Sequence, residues 1–459
     1  MTDWAGKRVV VVGLARQGKA LARYLTAQGA HVTVTDLKPA ASLATAVDEL
    51  AGLHVKFVLG GHPPTLLEGM DLLCLSGGVP ADLPLAQQAR QRGLTVTNDS
   101  QIFVDGSPAP TIGITGSAGK TTTTALVGRM AELQAQATGV RAWVGGNIGR
   151  PMLEDLGLIR PHDFVVMEIS SFQLEVMSSS PNVAAVLNLT PNHLDRHRTM
   201  AAYTEAKTRI LSGQAPDDAA VLGQDDPGAW ALRPHVRGNL WSFGRERPLA
   251  EHGASYEGGL IVLHAGPQPE VVLPVGEVLL RGEHNLQNIA AACAIAGASG
   301  ISLEAMRDAI RGFRGVEHRL EWVRRLRGAD WYNDSIATAP ERALAAMRSF
   351  TEPLVLLAGG RDKDLPWEAW ADEVTRRVDH LVLFGEATPK IAAALASFAG
   401  RTRPMTTDVC ADLDQAVEAA ARRAEEGDVV LLSPGGTSFD EFVDFAERGE
   451  RFRAQVREL

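Results

Sequence analysis

The amino-acid sequence predicts an α/β protein of three domains, and three observations support that prediction. The chain has 459 residues, which corresponds to about three domains of roughly 150 residues each. Apolar residues make up 45% and charged residues 22%, which is typical of globular proteins. Short β-branched segments alternate with Ala- and Leu-rich helical segments, as in parallel sheets covered by helices. We expect three successive domains at residues 1–98, 99–315 and 316–459.

The first block of this alternation predicts a small Rossmann-like domain. Its expected strands are Arg8–Val12, His31–Thr35, Asp71–Ser76 and Thr95–Asn98. A turn at Gly13–Gly18 joins the first strand to an amphipathic helix that extends to about Ala27, and Asp36 follows the second strand. A glycine turn with a later acidic residue is also typical of NAD binding, so a nicotinamide dehydrogenase is one alternative. No catalytic dehydrogenase pattern follows this block.

The second block predicts a P-loop ATPase-like domain built around a parallel sheet. A strand at Thr111–Thr115 runs into a glycine-rich loop and then a long helix that begins at Lys120. The other expected elements are strands at Phe164–Ile169 and Val183–Leu189, a Gly-rich β-hairpin region at about Ser255–Pro274, and a helix at Asn285–Gly297. The third block predicts a second Rossmann-like domain, with strands near Trp331 and at Leu354–Ala358, His380–Leu383 and Asp428–Leu432.

The segment GITGSAGKTTTT, from Gly113 to Thr124, predicts a site for nucleotide phosphates. Backbone amides of the glycine turn and of the helix N-terminus can bind phosphate oxygens, while the Lys120 ammonium neutralises their charge. The Thr121 hydroxyl is positioned by this motif to bind Mg²⁺. The strict motif has Gly six residues before the Lys, where this chain has Ile114, so the loop is a variant one residue longer.

Candidate metal ligands follow two neighbouring strands. Glu168 ends a buried strand, and NLTPNHLDRH places His193 and Asp195 after the next one. A carboxylate at the carboxyl end of a parallel strand faces the phosphate site, although Glu168 considered alone is as readily a structural partner. Lys207 lies in an expected helix at Tyr203–Leu211, and a single lysine on a helix is ordinarily solvated.

Charge and cysteine content exclude several classes of protein. The 45 basic and 55 acidic side chains give a net charge of −10, which argues against general nucleic-acid binding. The three cysteines are far apart and have no metal-ligand spacing, as expected in a reducing compartment. No apolar run is long enough for a signal peptide or a membrane span, so we expect a cytoplasmic protein without membrane insertion.

Eight short motifs occur in an order that resembles the Mur ligases, ATP-dependent enzymes that add amino acids to the UDP-linked peptidoglycan precursor. They are TGSAGKTT, GGNIG, EISSFQLE, NHLDRH, GEHNLQN, EHRLE, NDSIAT and LLSPGGTSFDEF, and the resemblance covers nearly the whole chain. The wording of the motifs is most similar to the members that add D-glutamate to UDP-N-acetylmuramoyl-L-alanine. The alternatives are sister ligases with another amino acid, a folylpolyglutamate synthase-like ligase, or a nucleotide-binding switch without ligase activity.

The resemblance implies an ATP site, two Mg²⁺ ions and a modified lysine. The ATP-binding residues it implies are Gly116, Ser117, Ala118, Gly119, Lys120, Thr121, Thr122, Asn285, Asn288, Arg319 and Asp334. The metal ligands it implies are Thr121, Glu168, His193 and Lys207, with Lys207 carbamylated and therefore negatively charged. Lys120, His193 and Lys207 are the catalytic residues that it implies.

The same resemblance assigns the two other substrates. Residues for the UDP-linked substrate are Leu14, Arg16, Gln17, Asp36, Lys38, Gly78, Asn147, Ser170 and His193. Residues for D-glutamate are Thr338, Lys363, Ser438 and Phe445. Two other interpretations stay open: Ser438 caps a helix that starts at Phe439, or Phe445 belongs to a buried stripe with Phe439 and Phe442.

Three positions depart from the family's usual residues. Ala118 replaces Asn in the phosphate loop, Asn192 replaces Asp before His193, and Ile336 replaces Lys in NDSIAT. The resemblance implies a reaction through an acyl phosphate, in which ATP activates the substrate carboxylate before the amine of D-glutamate attacks. We expect a monomer that binds neither nucleic acid nor membrane.

Overall fold

The structure is a computed structural model that describes residues 3–149, 151–192, 194–398 and 405–459. It contains three sheets, and the chain divides into two compact units. Met1–Leu279 and Glu283–Phe313 form the first unit, which contains the first two sheets; Leu280–Gly282 and Arg314–Leu459 form the second. The α/β fold predicted from the sequence is confirmed.

The first sheet has five parallel strands in the order β3-β2-β1-β4-β5. Its elements are β1 (Arg8–Val12), α1 (Arg16–Ala27), β2 (His31–Asp36), α2 (Ala44–Asp48), β3 (Val55–Leu59), β4 (Leu72–Leu75), α3 (Pro84–Gln91), β5 (Thr95–Asn98) and α4 (Asp99–Gly106). The strand order reverses between β1 and β4, which is where ligands bind in open parallel sheets. The edge strand β3 was not predicted, because its half-exposed residues have no clear alternation.

The second sheet has nine strands in the order β14-β13-β12-β11-β10-β9-β6-β8-β7. Its first elements are β6 (Thr111–Thr115), α5 (Lys120–Thr138), β7 (Ala142–Gly146), β8 (Phe164–Glu168), α6 (Ser171–Leu174), β9 (Val183–Val186), α7 (Leu194–His197) and α8 (Met200–Ser212). They are followed by β10 (Ala219–Gly223), α9 (Pro227–Trp230), β11 (Asn239–Gly244), β12 (His252–Glu257), β13 (Leu260–His264), β14 (Glu270–Pro274), α10 (Glu283–Ala298) and α11 (Leu303–Gly312). Strands β12, β13 and β14 pair antiparallel, so the predicted hairpin region is confirmed.

The predicted strand Val183–Leu189 is too long by three residues. Strand β9 ends at Val186, since the next residues turn to contact the glycine loop after β6. The Ser117 amide donates to the Asn188 carbonyl (3.0 Å), and the Leu187 amide donates to the Thr115 carbonyl (2.9 Å). These backbone contacts tie the segment after β9 to the glycine loop, so it does not continue the strand.

The third sheet has six strands in the order β15-β16-β20-β17-β18-β19, parallel except for the pair β15 and β16. Its elements are β15 (Glu321–Leu326), β16 (Ala329–Asn333), α12 (Pro340–Met347), β17 (Leu354–Gly359), α13 (Glu368–Arg377), β18 (Val378–Phe384), α14 (Thr388–Ala396), β19 (Thr406–Val409), α15 (Leu413–Arg423), β20 (Val429–Gly435) and α16 (Phe445–Glu458). Its central strands β17 and β20 are buried along their whole length. Among the described residues, no helix combines the length and apolarity needed to cross a membrane.

Candidate active site

The glycine loop between β6 and α5 is held by Asn188, which follows β9. The Asn188 side chain accepts from the Ala118 amide (2.8 Å) and donates to the Ala118 carbonyl (3.1 Å). Gly119, the N-cap of α5, has a φ of 80°, a conformation that glycine adopts without strain. The backbone of Ala118 is thus fixed by Asn188, and this explains why a residue without a polar side chain suffices there.

A second set of hydrogen bonds fixes Ser117. Its hydroxyl donates to the Thr190 carbonyl (2.9 Å), accepts from the Thr190 amide (2.9 Å) and lies 3.0 Å from the Tyr203 hydroxyl. The Asn192 side chain donates to the Ser117 carbonyl (3.3 Å), which a carboxylate could not do. Asn192, which stands where the family usually has Asp, therefore adds a hydrogen bond to the glycine loop.

Lys120 extends its ammonium group back along the glycine loop. Its Nζ donates to the carbonyls of Gly116 (2.8 Å) and Ser117 (3.2 Å). Both contacts are to neutral oxygens of the loop, and Lys120 also interacts electrostatically with Lys207. The positive charge therefore lies beside the amides that can bind phosphate.

Glu168 lies at the carboxyl end of β8 with 2% of its surface exposed. Its Oε2 accepts from the Thr121 hydroxyl and its Oε1 from the Asn147 amide, both at 2.8 Å. The three predicted residues Thr121, Asn147 and Glu168 thus meet at one point next to the N-terminus of α5. Oxygen donors of this kind are the ligands that Mg²⁺ prefers.

Lys207 is only 1% exposed, in contrast to the solvated lysine that its helical position suggests. Its Nζ donates to the Thr115 hydroxyl and the Gly116 carbonyl, both at 3.0 Å, and lies 5.0 Å from the centre of the Tyr203 ring. Burial lowers the pKa of the Lys207 ammonium well below its usual range; Lys120 acts in the same direction and Glu168 opposes it. The amine is therefore biased towards its neutral, nucleophilic form.

Ser170 and His193 are the other residues that the sequence predicts for this region. Ser170 caps the short helix α6 reciprocally with Gln173, and this arrangement begins two residues after Glu168. His193 lies outside the described residues. Among the residues that are described, no group of three or more His, Cys, Asp or Glu side chains could hold a metal ion.

The predicted adenine residues lie at the start of α10. Asn288 donates to the Asn285 side chain (3.2 Å). The Asn288 Oδ1 also occupies the space that a β-carbon at Gly119 would need. Asn288 therefore packs directly against the glycine loop. A glycine is required at position 119 both because there is no space for a side chain and because of its backbone conformation.

In the first sheet, the predicted residues for the UDP-linked substrate gather at the carboxyl ends of β1, β2 and β4. The Asp36 carboxylate accepts from the backbone amides of Leu14 (2.8 Å) and Lys38 (2.9 Å). Gln17 accepts from the Gly77 amide (2.8 Å), beside Gly78. Both side chains tie together loops of this edge, so part of their role is structural.

Arg16 has backbone partners in the loop after β7. Its guanidinium donates to the carbonyls of Gly149 and Asn147, the latter at 3.3 Å. Arg16 therefore joins the predicted substrate residues of the first sheet to Asn147 of the second.

In the second unit, Asp334 directly follows β16 and is buried. It accepts from the Ser433 hydroxyl (2.8 Å) and the Leu320 amide (3.2 Å), and burial raises its pKa to about 7. Arg319 is exposed and precedes Leu320 directly. Thr338 and Ile336 are half-buried in the turn that follows Asp334.

Lys363 lies in the loop after β17, opposite the segment that carries Ser438. Arg361 and Thr437 are bridged by a pair of backbone hydrogen bonds of 2.8 Å. Lys363 is exposed and makes no ion pair or hydrogen bond with the described residues, whereas Arg361 is paired with Glu386 (2.8 Å). The Lys363 ammonium is therefore held by no direct partner among the described residues, although Asp362 and Asp364 flank it in the chain.

Both alternative interpretations of the Ser438 segment are wrong. Helix α16 begins at Phe445 and is capped by Asp444, so Ser438 caps no helix at Phe439. Phe439 is 60% exposed, and thus the three phenylalanines form no common buried stripe. The Phe445 carbonyl accepts from the Ser335 hydroxyl (2.7 Å), next to Asp334.

Sequence reasoning missed Arg448, which is fully buried behind these loops. Its guanidinium donates to the carbonyls of Thr437 (3.0 Å), Ser335 (2.9 Å) and Gly436 (3.1 Å) and to the Ser335 hydroxyl (3.0 Å). Burial lowers its pKa to about 10, so it remains charged at neutral pH. The sequence gives no indication that Arg448 is buried, beyond its position three residues after Phe445.

Arg448→Met is expected to lower the free energy of unfolding by about 3 kcal/mol, because three buried carbonyls lose their donor. Arg451→Met is the matched control on the same helix, since Arg451 is half-exposed and pairs with Asp414 on the surface. We expect the control to change the unfolding free energy by less than about 1 kcal/mol. Equal changes for the two variants in denaturant unfolding would contradict the role given to Arg448.

The fold and these residues define a three-domain α/β protein with a phosphate-loop motif in its central domain. The chain belongs to the Mur ligase family. Three models of that family match it: a MurD-like N-terminal domain at residues 7–98, the Mur ligase middle domain at 114–296, and the glutamate ligase domain at 318–436.

Curated relatives match over almost the whole chain. UDP-N-acetylmuramoylalanine–D-glutamate ligase of Symbiobacterium thermophilum is 41% identical over 456 residues, with 99% of this chain and 98% of the relative covered. The protein of the same name from Geobacter metallireducens is also 41% identical, with the same coverage. The family resemblance inferred from the motifs is therefore confirmed.

Solved structures share the fold at low sequence identity. The MurF ligase of Thermotoga maritima in complex with ADP has a TM-score of 0.55 and 18% identity, with 100% of both chains covered. UDP-N-acetylmuramate-alanine ligase of the same organism has a TM-score of 0.55 and 18% identity, with 98% of this chain and 99% of that chain covered.

Proposed function

We propose that this protein is an ATP-dependent amide ligase that adds D-glutamate to UDP-N-acetylmuramoyl-L-alanine in peptidoglycan precursor synthesis. The observation that carries the proposal is the 41% identity, over 99% of the chain, to ligases with that name. The convergence of Thr121, Asn147 and Glu168 beside the glycine loop supports it independently. We propose that the reaction takes place in the cytoplasm, where ATP is present. We also propose that the protein is a monomer.

We propose that each domain binds one reactant. Residues 1–98 bind the UDP end of the substrate, 99–315 bind ATP, and 316–459 bind D-glutamate. The amides of the glycine loop and the Lys120 ammonium hold the ATP phosphates, while Asn285, Asn288, Arg319 and Asp334 hold the rest of the nucleotide. The geometry of the loop, with Lys120 beside its amides, is consistent with this assignment.

The oxygen donors at the start of α5 fit Mg²⁺. Glu168 is a buried carboxylate whose two oxygens accept from neutral groups of Thr121 and Asn147, and its negative charge acts on Lys207. A carboxylate with neutral hydrogen-bond partners suits a divalent cation. Thr121 and Glu168 would hold one ion, and His193 with a carbamylated Lys207 would hold the second. Bound Mg²⁺ supplies charge neutralisation for phosphoryl transfer.

Carbamylation of Lys207 is supported by its environment. A neutral amine attacks carbon dioxide and loses one proton, which gives a carbamate of charge −1. Among the residues that the structure describes, the hydrogen-bond partners of the buried Nζ are neutral oxygens of Thr115 and Gly116, and the pKa of the amine is lowered. The modification turns a buried amine, whose cationic form is disfavoured, into an anion beside Lys120.

The reaction has two steps. First, an oxygen of the substrate's alanyl carboxylate attacks the γ-phosphorus of ATP and ADP leaves, which yields an acyl phosphate. Then the amine of D-glutamate attacks the acyl carbon, a proton is lost from nitrogen, and phosphate leaves with the carboxylate oxygen. Lys120 stabilises the charge that develops on the phosphoryl group, since catalysis of phosphoryl transfer is mostly positioning and electrostatics.

We propose that Lys363 binds a carboxylate of D-glutamate, with Thr338, Ser438 and Phe445 as further contacts. Lys363→Ala is expected to raise the KM for D-glutamate about 10- to 100-fold, because a charge-assisted hydrogen bond contributes about 1.5–3 kcal/mol. The KM for ATP should stay within about 2-fold, since the variant removes no contact to ATP. Lys56→Ala, a change at an exposed lysine of β3, is the control. Equal rises of both KM values in Lys363→Ala would refute the assignment.

The proposed activity is tested by phosphate release from ATP with Mg²⁺, UDP-N-acetylmuramoyl-L-alanine and a panel of amino acids. We expect release with D-glutamate alone, and a product heavier by one glutamyl unit. Release with a different amino acid would make the protein a sister ligase. Absence of release in a folded, ATP-binding sample would contradict ligase activity.

A further inference from the structure

A histidine that no motif singled out lies at the carboxyl edge of the first sheet. His62 belongs to the loop after β3, in the segment LGGHPP, and is half-buried. Leu14, Asp36 and Gly78 lie at this same edge, at or just after the carboxyl ends of β1, β2 and β4. His62 is therefore on the side of the sheet where parallel α/β domains bind ligands.

The loop that carries His62 is tied to the end of β2. The Gly60 amide donates to the Asp36 and Lys38 carbonyls, both at 2.9 Å. Gly60 has a φ of 89°, so this close turn favours glycine. Asp36 in turn holds the loops after β1 and β2, and the three loops form one connected edge.

The hydrogen bonds of Thr35 decide which nitrogen of His62 carries the proton. Thr35 is fully buried, and its Oγ1 lies 3.0 Å from the Gly61 carbonyl and 2.9 Å from His62 Nδ1. A hydroxyl has one proton, and the carbonyl can only accept. Both contacts are hydrogen bonds only if Thr35 donates to Gly61 and His62 donates from Nδ1. In the neutral ring, Nε2 then has its lone pair available as an acceptor.

The carboxyl edge of the first sheet is open at three of its glycines. Apart from the glycine itself and its two chain neighbours, no described residue has an atom within 4 Å of the position that a β-carbon would take at Gly60, Gly61 or Gly78. The pKa of His62 is lowered from its ordinary value by burial, against the attraction of Asp36, which favours the neutral ring at physiological pH. The edge thus offers a fixed, neutral acceptor in addition to the backbone-paired Asp36.

We propose that His62 binds the uridine of the UDP-linked substrate, with Nε2 accepting a hydrogen bond from a donor of the nucleoside. The donors of uridine are the imide N3–H and the two ribose hydroxyls. This inference extends the proposed function, since it takes the UDP-linked substrate as given. Thr35 is a positioning residue in this account because it acts only through the ring of His62.

Two variants separate binding from a purely structural role. The amide of His62→Asn can replace Nδ1 and donate to Thr35, but it has no group at the Nε2 position. The longer His62→Gln places its amide oxygen near the Nε2 position and loses the contact to Thr35. We expect His62→Asn to raise the KM for the UDP-linked substrate about 3- to 10-fold, as for one lost neutral hydrogen bond. His62→Gln should keep a KM closer to wild type although its melting temperature falls.

The matched control is His54→Ala. His54 is exposed and immediately precedes β3, so it lies at the opposite edge of the same sheet. Its KM values should equal those of the wild type, and none of the three variants should change the KM for D-glutamate.

Calorimetry with UDP and its 2′-deoxy, 3′-deoxy and N3-methyl analogues then identifies the donor, because one analogue should lose affinity in the wild type but not in His62→Asn.

Wild-type kinetics come first. If the wild type turns over UDP-N-acetylmuramoyl-L-alanine and His62→Asn has an unchanged KM, the inference is overturned while the proposed function stands. A His62→Gln variant with a raised KM beside a normal His62→Asn would also overturn it, because the contact to Thr35 alone would then explain the histidine. A wild type without turnover would contradict the proposed function itself.

Discussion

Lys207→Met is expected to leave the protein folded and to lower kcat by about 10³-fold or more, as for loss of a group that acts on the transferring phosphoryl charge. Methionine matches the length of the lysine stem in a site that is 1% exposed. The variant removes the amine that we propose to carry the carbamate. Steady-state phosphate release measures the effect, and circular dichroism and thermal unfolding check the fold.

Carbon dioxide dependence separates the carbamate from an ordinary lysine. Wild-type activity should fall when bicarbonate is removed exhaustively and return when it is added. Lys56→Ala should respond to bicarbonate as the wild type does, since Lys56 is exposed on β3. Full wild-type activity without bicarbonate would show that Lys207 acts as an unmodified amine.

Lys120→Ala is the second substitution with a very large expected effect, a fall in kcat of about 10³-fold or more. The ammonium group lies along the glycine loop, 2.8 Å from the Gly116 carbonyl, where phosphate oxygens would bind the neighbouring amides. Its removal leaves the charge of the phosphoryl group without a neutralising side chain. Product formation with saturating ATP is the measurement, so that weaker ATP binding alone does not account for the loss.

Lys120→Arg is the companion variant, because it keeps the charge but not the shape of the lysine. We expect it to retain more ATP binding than Lys120→Ala while its kcat stays low, since a guanidinium cannot take the same position at the loop. Near-normal turnover of Lys120→Ala would contradict the assignment of this loop to the nucleotide phosphates.

The strands of the three sheets could be predicted where hydrophobic pattern and turn residues agree. β1, β5 and β6 have their predicted bounds, because each is a β-branched run limited by glycine or asparagine. β3 and β19 were missed, and both are edge strands whose side chains are half-exposed or exposed. β7, β10, β11 and β15 were missed as well, although β10 is fully buried. The end of β9 was placed too late because Leu187 and Leu189 are apolar for a different reason: Leu187 packs beside the glycine loop, and Leu189 packs against Gly228 of α9.

The residues of the candidate site also divide into those that the sequence could predict and those that it could not. The glycine loop with Lys120 and Thr121 is recognisable from the order of its residues alone. The burial of Lys207 and Arg448 could not be predicted from the sequence, because both residues lie on helices where a basic residue is ordinarily exposed. Asn188 and His62 were missed because their partners, Ala118 and Thr35, are distant in sequence and only the sheet order brings them together.

The most direct test of the ligase account follows one oxygen atom. UDP-N-acetylmuramoyl-L-alanine labelled with ¹⁸O in its alanyl carboxylate is converted with ATP and D-glutamate, and the released phosphate is analysed by mass. If the carboxylate attacks ATP, each turnover transfers one labelled oxygen to phosphate, and no label is transferred when D-glutamate is omitted. Unlabelled phosphate accompanied by amide product would contradict the acyl-phosphate route, and phosphate release without amide product would contradict the ligase itself.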